Sequence, residues 1–340
     1  MSPPRRPPAM SDVAALAGVS HQTVSRVLNG HLSVRPETRE RVLQAIADLG
    51  YRRNSAARAL VTRRTGTVGV VTSTGSLFGP SSSLLAVEEA ARDAGYFVSV
   101  ASVAHWERAA LDRALDHFLS QGVEGVIVMA DHDRAIEAVV GFDTAVPVIM
   151  LGPAATAHPD LMVIGVDQQL GGRLATRHLL DLGHTQVLHV SGPADWPGAR
   201  ARVEGWRTEL QAAGLDPGDP LPGDWSPDRG YEVGTTLVRE GLPSAVFTTN
   251  DHMALGLLRA FAEAGVRVPQ DVSVVGFDDI HGSDHFHPPL TTVRQDFRTL
   301  GQRCMAALLA AIAEDEDVLL DPVEPLLVVR ASSGPPRQGR

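Results

Sequence analysis

From Gly66 onward the chain repeats one pattern: a short run of Val, Ile and Leu, a polar or glycine-containing break, then a longer stretch with helical spacing. Runs too apolar to keep a wet face mark strands covered on both sides. Strands separated by helices are parallel, because only a long crossover returns the chain to the same edge of the sheet. The candidate strands are Val68 to Thr72, Phe97 to Ala101, Gly125 to Met129, Val146 to Leu151, Met162 to Val166, Gln186 to Val190, Ala245 to Thr249, Val272 to Phe277 and Leu290 to Val293, with Leu326 to Arg330 last. So many strands strain a single open sheet, so two doubly wound lobes are expected. Apolar residues at 44% and charged ones at 21% fit a packed α/β chain and exclude a disordered or fibrous one. No run is long and apolar enough for a membrane span, and the prolines and arginines of Met1 to Met10 leave no room for the apolar segment of a signal peptide. With Cys304 the sole cysteine, a disulfide scaffold is excluded and a cytoplasmic protein without cofactor is expected.

The first 64 residues differ in charge. They hold eleven Arg against four acids, whereas the remainder holds nineteen Arg against thirty-six acids. A small basic head on an acidic body suggests that the head alone faces a polyanion. Its pattern is that of a helix-turn-helix. Ser11 can cap a helix with Val13, Leu16 and Ala17 on one face, ending at Gly18; Ser20 caps a second with Val24, Val27 and Leu28 inward, ending at Asn29-Gly30. His21, Gln22, Thr23, Ser25, Arg26 and Asn29 are then left outward, donors and acceptors suited to base edges and phosphates. A third helix starts at Pro36 and runs through Val42, Ala45, Ile46 and Leu49 to Gly50.

Ser11-Asp12-Val13-Ala14, Ala17-Gly18-Val19-Ser20 and Thr23-Val24-Ser25-Arg26-Val27-Leu28-Asn29 together resemble the headpiece of the LacI/GalR family of bacterial repressors. The likeness continues through nearly the whole chain. It implies an all-α helix-turn-helix headpiece followed by a periplasmic-binding-protein-like α/β core whose two lobes are linked by three crossings. On that pattern residues 1–9 form a loose tail, 10–53 the DNA-binding head, 54–65 a hinge, 66–333 the effector-binding and dimerisation core, and 334–340 a second loose tail. The N-lobe takes about 66–164 and 295–322, the C-lobe about 165–292 and 323–333. The resemblance places Ser20, Tyr51, Asn54 and Ala57 among the DNA contacts beside the outward row of the second helix. It also matches Leu60 to a leucine that wedges into the minor groove from a hinge helix, one per subunit. A helix of about seven residues is marginal alone, so the hinge is expected to form only when held.

Ligands of such folds sit between lobes at the carboxyl ends of strands, here marked by Ser73, Asp167, Asn250, Asp278 and Gln295. Amides, hydroxyls and carboxylates with an Arg and an aromatic plate suit a neutral polyhydroxylated ligand, whose hydroxyls both donate and accept. By resemblance to a sugar-responsive member of the family, Arg202, Asn250 and Asp278 bind ring hydroxyls, Trp225 and Phe297 pack on the ring, and Ser73, Gln295, Leu77 and Pro80 complete the wall with Met129 and Leu151. Met129 replaces an asparagine of that member, and Gly152 an aspartate that holds the exocyclic hydroxymethyl. This side of the cleft has lost polar partners. The expected inducer therefore lacks the 6-hydroxyl, carries a substituent there or is another glycoside, galactosides being nearest.

His281, Asp284, His285 and His287 read as solvated loop residues before Pro288-Pro289, not as a metal site. Gly171-Gly172 reads as a helix start, since a P-loop's Lys and Ser/Thr are missing, and no nucleophile stands near Asp131-His132-Asp133. No enzyme is expected. The expected function is a sugar-released repressor on a pseudo-palindromic operator, a homodimer because no leucine-heptad segment follows the last strand. A corepressor-dependent regulator of the same family, and a solute-binding protein without a DNA role, are the alternatives.

Overall fold

The computed structural model describes residues 6, 8–28, 30–31, 33–51, 64–75, 77–140, 144–153, 161–315 and 319–337. It divides into two compact units, Met1–Thr65 and Gly66–Arg340.

In the first unit helices α1 (Met10–Ala17), α2 (His21–Leu28) and α3 (Pro36–Leu49) enclose a core of Val13, Ala14, Ala17, Val24, Val27, Val42, Ala45 and Tyr51. Two local expectations are corrected. Helix α1 is capped from Ala9, not from Ser11: the Asp12 carboxylate reaches back to accept from Ala9 N at 2.7 Å. Leu16 is 55% exposed, not inward. Ser20 does cap α2, its Oγ accepting from Thr23 N at 3.2 Å. Gly18 takes φ 64°, the left-handed turn between α1 and α2 that a side chain would strain.

In the second unit β1 (Thr67–Ser73), β2 (Phe97–Val103), β3 (Val126–Met129), β4 (Val148–Leu151) and β5 (Met162–Ile164) form one parallel sheet in the order β2-β1-β3-β4-β5. Helices α4 (Phe78–Asp93), α5 (Arg108–Ser120) and α6 (Asp133–Val139) follow its strands. A second sheet, ordered β10-β9-β8-β7-β6, is built from β6 (Val187–Val190), β7 (Ala245–Thr248), β8 (Ser273–Asp278), β9 (Thr291–Arg294) and β10 (Leu326–Val328). Its helices are α7 (Gln168–Asp181), α8 (Pro197–Ala212), α9 (Pro227–Glu240) and α10 (Asp251–Glu263). Successive residues of the central strands go to opposite cores: Val70 and Ile127 to one, Val71, Val126 and Val128 to the other. Strand β10 departs from the parallel rule, pairing antiparallel with β9.

The last helix, α11 (Phe297–Ile312), belongs to the first sheet although the chain has already built the second. Its Leu300, Cys304, Met305 and Leu308 share a core with Val68, Val87 and Ile127, and burial pushes the Cys304 thiol up to about 12. The chain thus crosses between the lobes at 165–167, at 295–296 and again before β10. The third crossing pairs with the first: Val323 N donates to Gly165 O at 2.8 Å and Asp167 N to Val323 O at 2.9 Å. The loose tail expected from 334 is held as far as 337. Gly334 N bonds Ser273 Oγ at 3.1 Å, its carbonyl accepts from His184 Nε2 at 2.9 Å, and Arg337 meets Asp271 at 3.2 Å.

Candidate functional site

Between the lobes lies a cavity of about 360 Å³, lined from both sheets and from the crossings. One wall begins with a close helix contact. A Cβ on Gly172 of α7 would stand 2.3 Å from Arg202 O of α8, and one on Gly205 2.2 Å from Gln169 O. Only glycine lets the two backbones come this near, which gives the Gly171-Gly172 pair its packing role. The contact delivers Arg202 into the cavity wall beside Phe277, its guanidinium 3.7 Å above that ring.

Around Arg202 the polar groups form a chain. Its Nε donates to Gln168 Oε1 at 2.8 Å and its Nη1 to Thr249 O. Gln168 Nε2 donates to Gln295 Oε1 at 2.8 Å, and Gln295 Nε2 donates to Asp278 Oδ1 at 2.7 Å. Asp278 stands 4.0 Å from Arg202 and closes the loop. Burial pushes Asp278 up to about 6 against the pull of Arg202 and Gln295, and pushes Arg202 down to about 10 against the pull of Asp278. Beneath them Asp251, which accepts from Ile280 N and Thr292 Oγ1, is driven by burial and the nearby Asp278 up to about 8.

Trp225 forms the aromatic part of this wall. Asp224 Oδ1 accepts from Ser226 N at 2.8 Å and from Ser226 Oγ at 2.7 Å, an Asx turn that carries Trp225 at φ 75°. Asn250 Nδ2 holds the Trp225 carbonyl at 3.0 Å, and Gly192 leaves room for the indole, whose Cη2 would lie 2.4 Å from an added Cβ. Trp225 and Asp278, at φ 108°, are non-glycine residues at positive φ in one site, each worth about 1–3 kcal/mol of strain that the surrounding bonds must offset.

Of the residues expected to meet a ligand, Leu77, Pro80, Met129, Leu151, Arg202, Trp225, Asn250, Asp278, Gln295 and Phe297 all line the cavity. Ser73 does not. Its Oγ accepts from Trp106 Nε1 at 3.1 Å and donates to Asp131 Oδ1 at 3.4 Å, so it supports the wall from behind. Asn250 lines the cavity but is also a cap, its Oδ1 accepting from Met253 N at 2.9 Å. Sequence reasoning missed Gln168, Asp131 and Trp196. Asp131 had a signal, since it directly follows the third strand segment and its neighbour Ala130; burial raises its carboxyl against the pull of His132. Among the described residues no cluster of three or more His, Cys, Asp or Glu could hold a metal ion.

In the head, Ser20, His21, Gln22 and Arg26 are exposed, Thr23 and Ser25 half-buried. Tyr51, expected among the DNA contacts, is 8% exposed and packs in the head core. Asn29, Asn54, Ala57 and Leu60 lie outside the described residues.

Residues 9–54 match the family described as bacterial regulatory proteins, lacI family, and residues 176–333 match the periplasmic binding protein-like domain. The lactose operon repressor of Escherichia coli K12 is 38% identical over 309 residues, 89% of this chain and 84% of that protein. The chain belongs to the lacI family of bacterial regulatory proteins. Other lacI-family relatives are the transcriptional regulator CelR of Thermobifida fusca, 37% identical over 90% of this chain and 92% of its own, and the repressor PurR of Haemophilus influenzae, 35% identical over 95% and 98%. The crystal structure of the Lac repressor dimer bound to operator and the anti-inducer ONPF matches with a TM-score of 0.81 at 36% identity, over 97% of this chain and all of that one. A CelR-cellobiose complex matches with a TM-score of 0.68 at 33% identity, over 96% and 99%. These lacI-family relatives are transcriptional repressors and regulators, and among the described residues no helix is long and apolar enough to cross a membrane.

Proposed function

We propose that this lacI-family chain is a cytoplasmic homodimeric repressor, without enzymatic activity, that leaves a pseudo-palindromic operator when a sugar or glycoside enters the cleft. The head (10–53) reads bases with His21 and Gln22 and holds phosphate with Arg26; the hinge (54–65) presents Leu60 to the minor groove; the core (66–333) takes effector and partner. The observation that carries the sugar half is the closed chain Arg202–Gln168–Gln295–Asp278 facing an indole. It offers fixed donors and acceptors to hydroxyls and a flat apolar surface to a ring. Ligand binding there acts on DNA only if one lobe arrangement holds the ligand more tightly, a coupling typically of about 1–3 kcal/mol. The dimer half is supported by the Lac repressor dimer and by the open edge strand β2, where Phe97 is 71% exposed beside exposed Val100.

Fluorescence anisotropy of the full chain on symmetric half-site DNA at fixed salt, with mono- and disaccharides added afterwards, tests both halves. Specific binding released by one sugar is the expected result. Binding that requires a small molecule reverses the switch, and loss of all sequence selectivity removes the DNA role. Leu60→Ser is expected to lower operator affinity while the melting temperature of the core stays unchanged.

A further inference from the structure

Resting on the sugar reading above, we infer that the part of the cleft bounded by Asp131, Trp196 and Trp225 is a second ring subsite, and that the effector is a disaccharide or longer saccharide. The cavity of about 360 Å³ is in the range that takes a drug-sized molecule, which a single pyranose ring is not. The Arg202–Asp278 chain can orient one ring only, because its groups already bond one another and converge on a single side of the cavity. A second, separate carboxylate comes from the opposite lobe. Asp131 lines the cavity, and its side-chain partners among the described residues are long, Ser73 Oγ at 3.4 Å and His132 Nε2 at 3.9 Å, beside a bond to its own backbone. Its acceptor capacity is therefore open to hydroxyls, and one carboxylate can take two.

Trp196 supplies the surface for that ring. It precedes Pro197, which restricts its backbone to the extended region, and its indole stands edge-on to Trp225 with centroids 5.3 Å apart at 66°. His132 stands 6.2 Å from it, and His132 meets Trp106 at 6.1 Å. The indole is thus fixed from both lobes before any ligand arrives. Two indoles meeting at an angle form a corner with two apolar faces, as two linked rings that are not coplanar require. Met129 lines the same lobe's wall near Asp131, and Asp224 and Ser226 flank Trp225 but bond each other at 2.7 Å, so the second ring is read chiefly by Asp131 and by stacking.

Calorimetry on the full chain tests this with three probes in each of the galactose and glucose series: the methyl glycoside, the 4-nitrophenyl glycoside, and the disaccharide lactose or cellobiose. In the series that binds, the disaccharide is expected to bind about tenfold or more tightly than the methyl glycoside. Trp196→Ala is expected to remove that advantage and leave the methyl glycoside within about twofold, with Trp196→Phe restoring most of it. Asp131→Ala is expected to weaken the disaccharide and leave the nitrophenyl glycoside unchanged. Equal affinities for methyl glycoside and disaccharide, or equal losses for both in Trp196→Ala, overturn the second subsite and leave the sugar reading intact. A nitrophenyl glycoside as tight as the disaccharide, with Asp131→Ala affecting neither, makes the corner an apolar slot and overturns the saccharide assignment. No binding of any carbohydrate overturns the sugar reading and this inference with it.

Discussion

The two walls of the cleft are built on different plans. The wall made by the C-lobe and the crossings is a closed set of hydrogen bonds, with Arg202, Gln168, Gln295 and Asp278 each fixed by the next. The N-lobe wall offers Leu77, Pro80, Met129, Leu151 and Gly152, with Asp131 as its carboxylate. The first wall has met the cost of ordering polar groups within the protein, so a ligand finds them in place. The second sets shape more than orientation. For the proposed sugar, such a cleft would hold one part by rule and let the other part vary with a few side chains.

Breaking the first wall should have the largest effect. Arg202→Ala leaves Asp278 buried without its cation, a loss of about 2–5 kcal/mol for such pairs, and calorimetry should show sugar affinity down by about a hundredfold or more. An affinity within threefold of the parent would move recognition to the N-lobe wall. The next test uses acidity. Asp251 and Asp278 have folded values of about 8 and about 6 against 3.8 for the ordinary carboxyl, so the folded chain keeps protons that the unfolded chain releases. Their contribution to stability is therefore most favourable near pH 4 and declines as pH rises through 6 and 8. Asp251→Asn should flatten that decline, raising the melting temperature at pH 8.5 more than at pH 5; an equal change at both would sink the assignment.

Sharpening the second wall needs a smaller step. The parent chain should bind galactose and 6-deoxygalactose with similar affinity, because Met129 and Gly152 offer the 6-hydroxyl no partner. Met129→Asn should favour the hydroxylated sugar by about threefold to tenfold, the worth of one hydrogen bond, in paired titrations. The smallest effect is expected where the walls meet at the surface. Arg200 of α8 makes two 2.8 Å bonds to Asp133 of α6, but both side chains are about half exposed. Arg200→Ala should cost no more than about 1 kcal/mol in thermal unfolding.

The two walls were also unequally legible in the sequence. Strands such as Val68 to Thr72 and Ala245 to Thr249 could be read because burial on both faces demands unbroken apolar runs, and the residues at their ends follow from strand direction. Arg202, Asp278 and Gln295 were legible as chemistry in the right place, aided by the family pattern. Gln168 was not, because it meets Gln295 across 127 residues of chain, each lying next to a crossing between the lobes that no periodicity reveals. Ser73 was misplaced for a similar reason: a strand end says which rim a residue occupies, whereas Trp106 decides which way its hydroxyl turns. The resemblance set Tyr51 among the DNA contacts and gave no sign that its side chain also packs in the head core. Trp196 sits in a loop before a helix, where sequence gives neither burial nor neighbours.

The late helix α11 has a consequence for the order in which the protein can be made. The head completes its core by Tyr51, so it can fold while the rest is still being synthesised. The N-lobe, though begun at Thr67, lacks Leu300, Cys304, Met305 and Leu308 until nearly the whole chain has left the ribosome. The C-lobe waits for Ser332 and Gly334 to bond Val274 and Ser273. Both lobes therefore close within the same last few seconds of translation. A chain stopped early would carry a finished head on two unfinished lobes, with apolar core surface still exposed.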